Sequence, residues 1–290
     1  MGIKNKCGDR KDGKLLRNLD AMHYIMPLIY PNRCDNEAFI SERIDLTNIN
    51  KYLEKKNADN PEYKYNLFQV IVTATLKTIM LRPKMNRFIA NKKLYQRNKI
   101  SASFIVKKIF SDDSDEGLAI IRAEENDTID AIHNKIYKTV SSCRDDNSSD
   151  STDDAMEIIN KLPRFISRFL VNLMCVLDRH GKIPYSIIAS DPYYCSVILS
   201  NLGSIKLHSG YHHLTNWGTT SLFVVVGEKK PRPFYDENGN VTMRDSIDIG
   251  LTVDERIADG YYFSKTVAVL KRLLENPELL EDELNKEVTV

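Results

Sequence analysis

A chain of 290 residues with 41 lysines and arginines against 40 aspartates and glutamates carries no single-sign field, so nucleic acid is not indicated as a partner. Its hydrophobic share of 42% and charged share of 28% are those of a globular protein, long enough to bury a substantial core as one large domain or two small ones. The opening MGIKNKCGDRKDGK lacks an apolar signal-peptide stretch, no run approaches the ~18 apolar residues of a membrane span, and five cysteines without a CxxC pair fit reduced thiols, so a cytoplasmic location is expected.

In chain order, residues 1–14 are expected to be a flexible Gly/Lys/Asp-rich tail. AFISERIDLTNI, from Ala38, alternates as a strand and runs to Asp45 and Thr47, which suit the cap of a helix ending at Lys56. Phe68 to Leu81 is apolar all round and stops before Pro83, which predicts a buried helix despite its β-branched residues. ISASFIVK and LAIIRA predict two short strands, followed by a helix from Ile129 to Val140 with Thr128 as its cap. The Ser/Asp-rich residues 141–154 are expected to form a mobile loop.

Beyond that loop, apolar residues at helical spacing from Ile158 to Leu177, ringed by Arg164, Arg168 and Arg179, predict an amphipathic helix that Pro163 starts or kinks. The plainer reading of the pattern is a core or subunit-interface helix; its alternative is a peripheral membrane or protein contact through residues 163–177. CSVILSNLG, SLFVVVGE and SIDIGLTV predict strands, with Asn238-Gly239 as a hairpin signal. A helix from Gly260 is broken at Pro277, and residues 281–290 are expected to be a tail.

Several short motifs lie in register along the last third: Leu199-Ser200-Asn201-Leu202-Gly203, the Val224–Gly227 strand with Arg232-Pro233 after it, the Asn238-Gly239 hairpin, Asp254-Glu255-Arg256-Ile257-Ala258-Asp259-Gly260, and LLENPELL. Together they resemble the catalytic domain of the dihydrolipoamide acyltransferases of 2-oxo acid dehydrogenase complexes and, more distantly, chloramphenicol acetyltransferase. The heptapeptide is similar to that family's DHRxxDG signature, with Glu255 where the catalytic histidine is expected. The resemblance extends over residues 15–280 as a single domain with no lipoyl domain or lipoyl attachment in the chain. It implies an α/β fold, a mixed and largely antiparallel sheet flanked by helices, in a homotrimer with its sites between subunits.

The resemblance also implies a mechanism. A histidine acts as general base on a thiol or hydroxyl of a small-molecule acceptor, which attacks an acyl thioester such as acyl-coenzyme A, while a serine hydroxyl binds the oxyanion. Ser200 matches that serine, Asp259 matches the aspartate that holds the local backbone through a charge pair, and Glu255 occupies the position of the base. A carboxylate with pKa ~4.3 is a weaker base toward a thiol near ~8.5 than an imidazole near ~6.5, and its charge opposes the developing oxyanion. Glu255 therefore reads either as an altered base or as a salt-bridge partner in a retired channel, and the second reading makes the chain a trimeric pseudoenzyme that binds or scaffolds.

His212 and His213 lie between the serine motif and the Val224 strand. One of them would serve as a migrated base; the plainer reading packs both at a subunit interface. His208, His212, His213 and Glu255 are zinc-type donors, but adjacent histidines on a strand point to opposite faces, so no metal is expected. Cys175 and Cys195 read as small buried apolar residues.

Overall fold

The computed structural model describes residues 6–107, 116–144 and 159–289. Its main sheet has seven strands: β2 (Glu37–Asp45), β5 (Ile100–Lys107), β6 (Glu116–Ala123), β7 (Val197–Asn201), β8 (Leu222–Val226), β9 (Lys230–Tyr235) and β10 (Val241–Asp254). They are ordered β2-β10-β8-β7-β5-β6, with β9 also paired to β10. Only β5–β7 and β7–β8 run parallel, so the sheet is mixed and largely antiparallel, as the family resemblance implies. A smaller sheet joins β1 (Gly13–Leu15), β4 (Lys93–Arg97) and β3 (Arg87–Ala90).

The central strands are apolar on both faces because both faces are covered. Leu222, Val224 and Val226 join the main core, under α2 (Thr47–Lys56), α3 (Leu67–Leu81), α4 (Ile129–Arg144) and α7 (Gly260–Glu275). Phe223 and Val225 face the other way, with Ile198, Tyr193, Leu202 and Leu214. α3 is buried from Gln69 to Ile79, which explains its apolar residues all round. Its β-branched content is tolerated because the Thr73, Thr75 and Thr78 hydroxyls donate to the carbonyls of Gln69, Ile71 and Ala74 at 2.8, 2.8 and 2.7 Å. Asn66 and Gln69 close a reciprocal cap at its start.

Both expected tails require correction where they are described. Arg10 and Asp12 are buried, with the Arg10 Nε donating to Asp12 at 2.8 Å and its Nη2 to Asp178 at 3.0 Å. Leu284 is buried too, and the Lys77 ammonium, fully enclosed, donates to the carbonyls of Leu279, Asp282 and Glu283 at 2.8, 3.2 and 2.8 Å. Residues 141–144 of the expected loop continue α4, and the remainder of that loop lies outside the described residues.

Two helices leave apolar surface exposed. α1 (Ala21–Ile29), capped by Asp20, presents Met22, Tyr24, Ile25, Leu28 and Ile29. α5 (Arg164–Arg179) packs Met174 and Leu177 inward and leaves Phe165, Phe169, Val171, Leu173 and Val176 outward. Among the described residues no helix is long and apolar enough to cross a membrane.

Candidate active site

The heptapeptide opens at the last residue of β10, where the strand breaks into a single turn over Glu255–Ile257. Two of its residues hold that turn from within. Arg256 donates to both carboxylate oxygens of Asp254, Nε at 2.7 Å and Nη2 at 2.6 Å, while its Nη1 reaches the Tyr30 carbonyl at 2.7 Å. Asp254 is 0% and Arg256 2% exposed, so this is a desolvated, bidentate ion pair. The Asp254 carboxylate also accepts the Arg256 backbone N–H, and a second buried guanidinium, that of Arg33, stands 3.8 Å away. Burial and the neighbouring Arg256 cation push the Arg33 pKa down, against the pull of Asp254. Arg33 is anchored further by the carbonyls of Thr215, Ile89 and Gly218.

Between these buried neighbours, Glu255 points outward. Its backbone N–H donates to Asn36 at 2.9 Å, and its exposed carboxylate has no hydrogen-bond or ion-pair partner among the described residues. Asp259 caps α7 by accepting the Tyr262 N–H at 2.8 Å and pairs with the Lys84 ammonium at 3.9 Å, while the buried charge pair within the turn itself is Asp254–Arg256. That backbone hydrogen bond, helped by the Lys84 cation, lowers the Asp259 pKa.

Ser200 lies near the far end of β7, half-buried, and its hydroxyl has no partner among the described residues. Strand register fixes its relation to Glu255. Ser200 pairs with Val225 and Val225 with Gly250, so Glu255 lies five residues further along β10 and two strands over. At about 3.4 Å per residue and 4.8 Å per strand, the two are roughly 20 Å apart within one chain. They cannot touch one substrate atom together in a single copy.

The histidines are placed differently. His212 stacks on Phe223, ring centroids 4.2 Å apart and planes within 10°. Phe223 pairs with Ile198, and Phe223, Ile198 and Ser200 share the sheet face opposite the helices, so strand positions 223 and 200 are separated by roughly 8 Å. His212 Nδ1 lies 2.8 Å from the His213 carbonyl and His213 Nδ1 3.0 Å from the Leu214 carbonyl. A carbonyl only accepts, so each Nδ1 carries the proton and each Nε2 is left with a lone pair, the tautomer a general base requires. Both rings are exposed. The segment that bears them is not a strand; it is tied down by Glu37, which accepts the Leu214 N–H, and by the close pass of Gly210 over Gly250, whose added Cβ would lie 2.0 Å from the Gly210 carbonyl.

His208 stands apart with Glu228 and Lys230, and among the described residues no group of three or more His, Cys, Asp or Glu side chains is placed to hold a metal. Cys195 is buried and Cys175 half-buried; burial raises the Cys195 pKa, which keeps it a thiol.

Residues 194–281, the stretch that contains Ser200 and the heptapeptide, match the family model of the 2-oxoacid dehydrogenases acyltransferase catalytic domain. The fold is that of an acyltransferase core. It is similar to a probable dihydrolipoamide acetyltransferase from Listeria monocytogenes at TM-score 0.57 and 15% identity, over 95% of this chain and 97% of that one. The Azotobacter vinelandii dihydrolipoamide acetyltransferase, in which the catalytic roles of a serine, a histidine and an asparagine were investigated, aligns at TM-score 0.58 and 13% identity, over 92% and 94%. A chloramphenicol acetyltransferase aligns at 0.53 and 12%, over 90% and 99%. No curated protein matches the sequence.

Within this fold, Arg33 and Phe223 are the parts of the site that the sequence left unsigned. Arg33 comes from a three-residue turn before β2, far from the heptapeptide it braces. Phe223 is one apolar residue in an apolar strand, and only the fold shows that it is the platform for His212.

Proposed function

We propose that the chain is a coenzyme A-dependent acyltransferase of the 2-oxo acid dehydrogenase type, working as a homotrimer, whose general base is His212 in place of the residue at 255. The observation that carries this reading is the placement of an unpartnered Ser200 hydroxyl and a His212 imidazole in its base tautomer on one face of the sheet. His212 Nε2 takes the proton from the thiol or hydroxyl of a small acceptor, the acceptor attacks the acyl thioester carbonyl, and the Ser200 hydroxyl donates to the oxyanion. The protonated imidazole returns its proton to the departing coenzyme A thiolate. The outward apolar face of α5, a contact surface suited to assembly, supports the homotrimer.

The test is release of free thiol from a panel of acyl-coenzyme A compounds with thiol and hydroxyl acceptors. Ser200→Ala and His212→Gln should each lower kcat by about 10²- to 10⁴-fold while Glu255→Gln retains activity. Turnover unchanged by His212→Gln would reject the migrated base. A second reading, a pseudoenzyme that binds or scaffolds, draws on Glu255 itself, an exposed and unpartnered carboxylate at the position of the base; absence of turnover and of any ligand-induced thermal stabilisation with the whole panel would select it.

A further inference from the structure

Beside the Asp254–Arg256 pair lies a cleft of about 300 Å³ whose lining includes Arg33, Lys92, Asp178, Arg179, Asn216 and Arg256. Four of these six side chains are cationic. Arg33 and Arg256 share one carboxylate, Asp254, and the Arg33 Nε, fully enclosed, has no hydrogen-bond partner. Asp178, the acidic group in the lining, is already held by Arg10 Nη2 at 3.0 Å and the Tyr194 hydroxyl at 2.8 Å. Lys92 and Arg179 are exposed and have no ion-pair partner among the described residues. Asp35 and Glu37, on the chain leading out of the cleft, accept from the Asn32 side chain and the Leu214 N–H. The cleft is therefore left with two cations, Lys92 and Arg179, that have no carboxylate partner among the described residues.

The two exposed cations are carried on constrained backbone. Lys92 follows Asn91 in the two-residue turn between β3 and β4, and both take positive φ, 46° and 60°, although neither is glycine. Arg179 is the last residue of α5, where the neighbouring Asp178 is pinned in the core by Arg10. Several cations around a cavity of this size suit a compact oxyanion with several acceptor oxygens.

We infer that this cleft binds a phosphate or pyrophosphate group, gripped by Lys92 and Arg179 at its mouth and by the field of the buried Arg33–Arg256 pair behind. The inference does not depend on acyl transfer, and its probes carry no acyl group. Calorimetric titration at low ionic strength with inorganic pyrophosphate and, separately, with adenosine diphosphate tests it on the full chain. Saturable binding by the wild type should weaken about tenfold or more in Lys92→Asn, which keeps a residue tolerant of left-handed φ, and in Arg179→Gln. Equal affinity for the two probes identifies a free oxyanion as the ligand; tighter binding of the diphosphate ester identifies a phosphorylated organic molecule. Both substitutions are at exposed positions, and an unchanged melting temperature without ligand confirms that the fold is intact. Lack of saturable binding by the wild type, or equal affinity in wild type and both variants, would overturn the assignment.

Discussion

Substituting Asp254 by asparagine removes the one carboxylate between two buried guanidinium groups while keeping the side-chain volume. In the native chain that carboxylate accepts Arg256 Nε at 2.7 Å, Arg256 Nη2 at 2.6 Å and the Arg256 N–H at 3.2 Å, and stands 3.8 Å from Arg33. With Arg33 4% and Arg256 2% exposed, neither cation can turn to water for compensation. Breaking a buried pair and leaving its charge uncompensated costs about 3–5 kcal/mol. For a chain of this size that corresponds to a fall in melting temperature on the order of 10 °C. Urea denaturation and thermal melts at one fixed protein concentration measure it, since assembly makes the melting temperature depend on concentration. Glu255→Gln, one residue away but exposed and unpartnered, is the matched comparison and should stay within about 0.5 kcal/mol of wild type. A loss below about 1 kcal/mol for Asp254→Asn would refute the claim that this pair holds the turn.

Lys77→Met leaves the carbonyls of Leu279, Asp282 and Glu283 without their shared donor and should cost roughly 2 kcal/mol in urea denaturation, with the segment after α7 becoming the first site of limited proteolysis. A variant as stable as wild type would show that the buried ammonium is not what docks that segment. Asp259 has a native pKa below its unfolded value, so its contribution is present above the ordinary carboxylate range and is lost as pH falls through the lowered native value. The stability difference between wild type and Asp259→Ala should accordingly be clear at neutral pH and shrink as pH falls below the ordinary carboxylate range in denaturant titrations; a difference independent of pH would assign the cap to something other than the carboxylate.

The strands with strong patterns were readable from sequence, and so was the buried helix ahead of Pro83, because burial on one or both faces imposes apolar periodicity directly. β9 was not, since Pro231 and Pro233 argue against a strand; it is tolerated because it pairs only with β10, where missing donors can face outward. The polar opening segment reads as a tail because Arg10 and Asp12 are expensive to bury, and only their partner Asp178, more than 160 residues on, makes the burial affordable. At the site, the positions of Ser200 and the heptapeptide were legible from motif spacing, and the fold fixed their separation through register. Legibility failed at the histidines, whose tautomers are set by carbonyls of the following residues.

Ser200 and the Glu255 turn mark opposite ends of the same run of strands, so in the proposed trimer, where the turn of one copy walls the Ser200 pocket of the next, each copy offers two unlike half-sites facing in opposite directions. Joining one to the other is a head-to-tail contact, and its arithmetic depends on closure. A ring uses both ends of every member and completes as many sites as it has chains, whereas an open string always leaves one unmatched half at each tip. Point-group symmetry then becomes part of the site's inventory: a three-membered ring with one damaged Ser200 end and one damaged turn keeps one intact site, or two where the damaged halves meet each other.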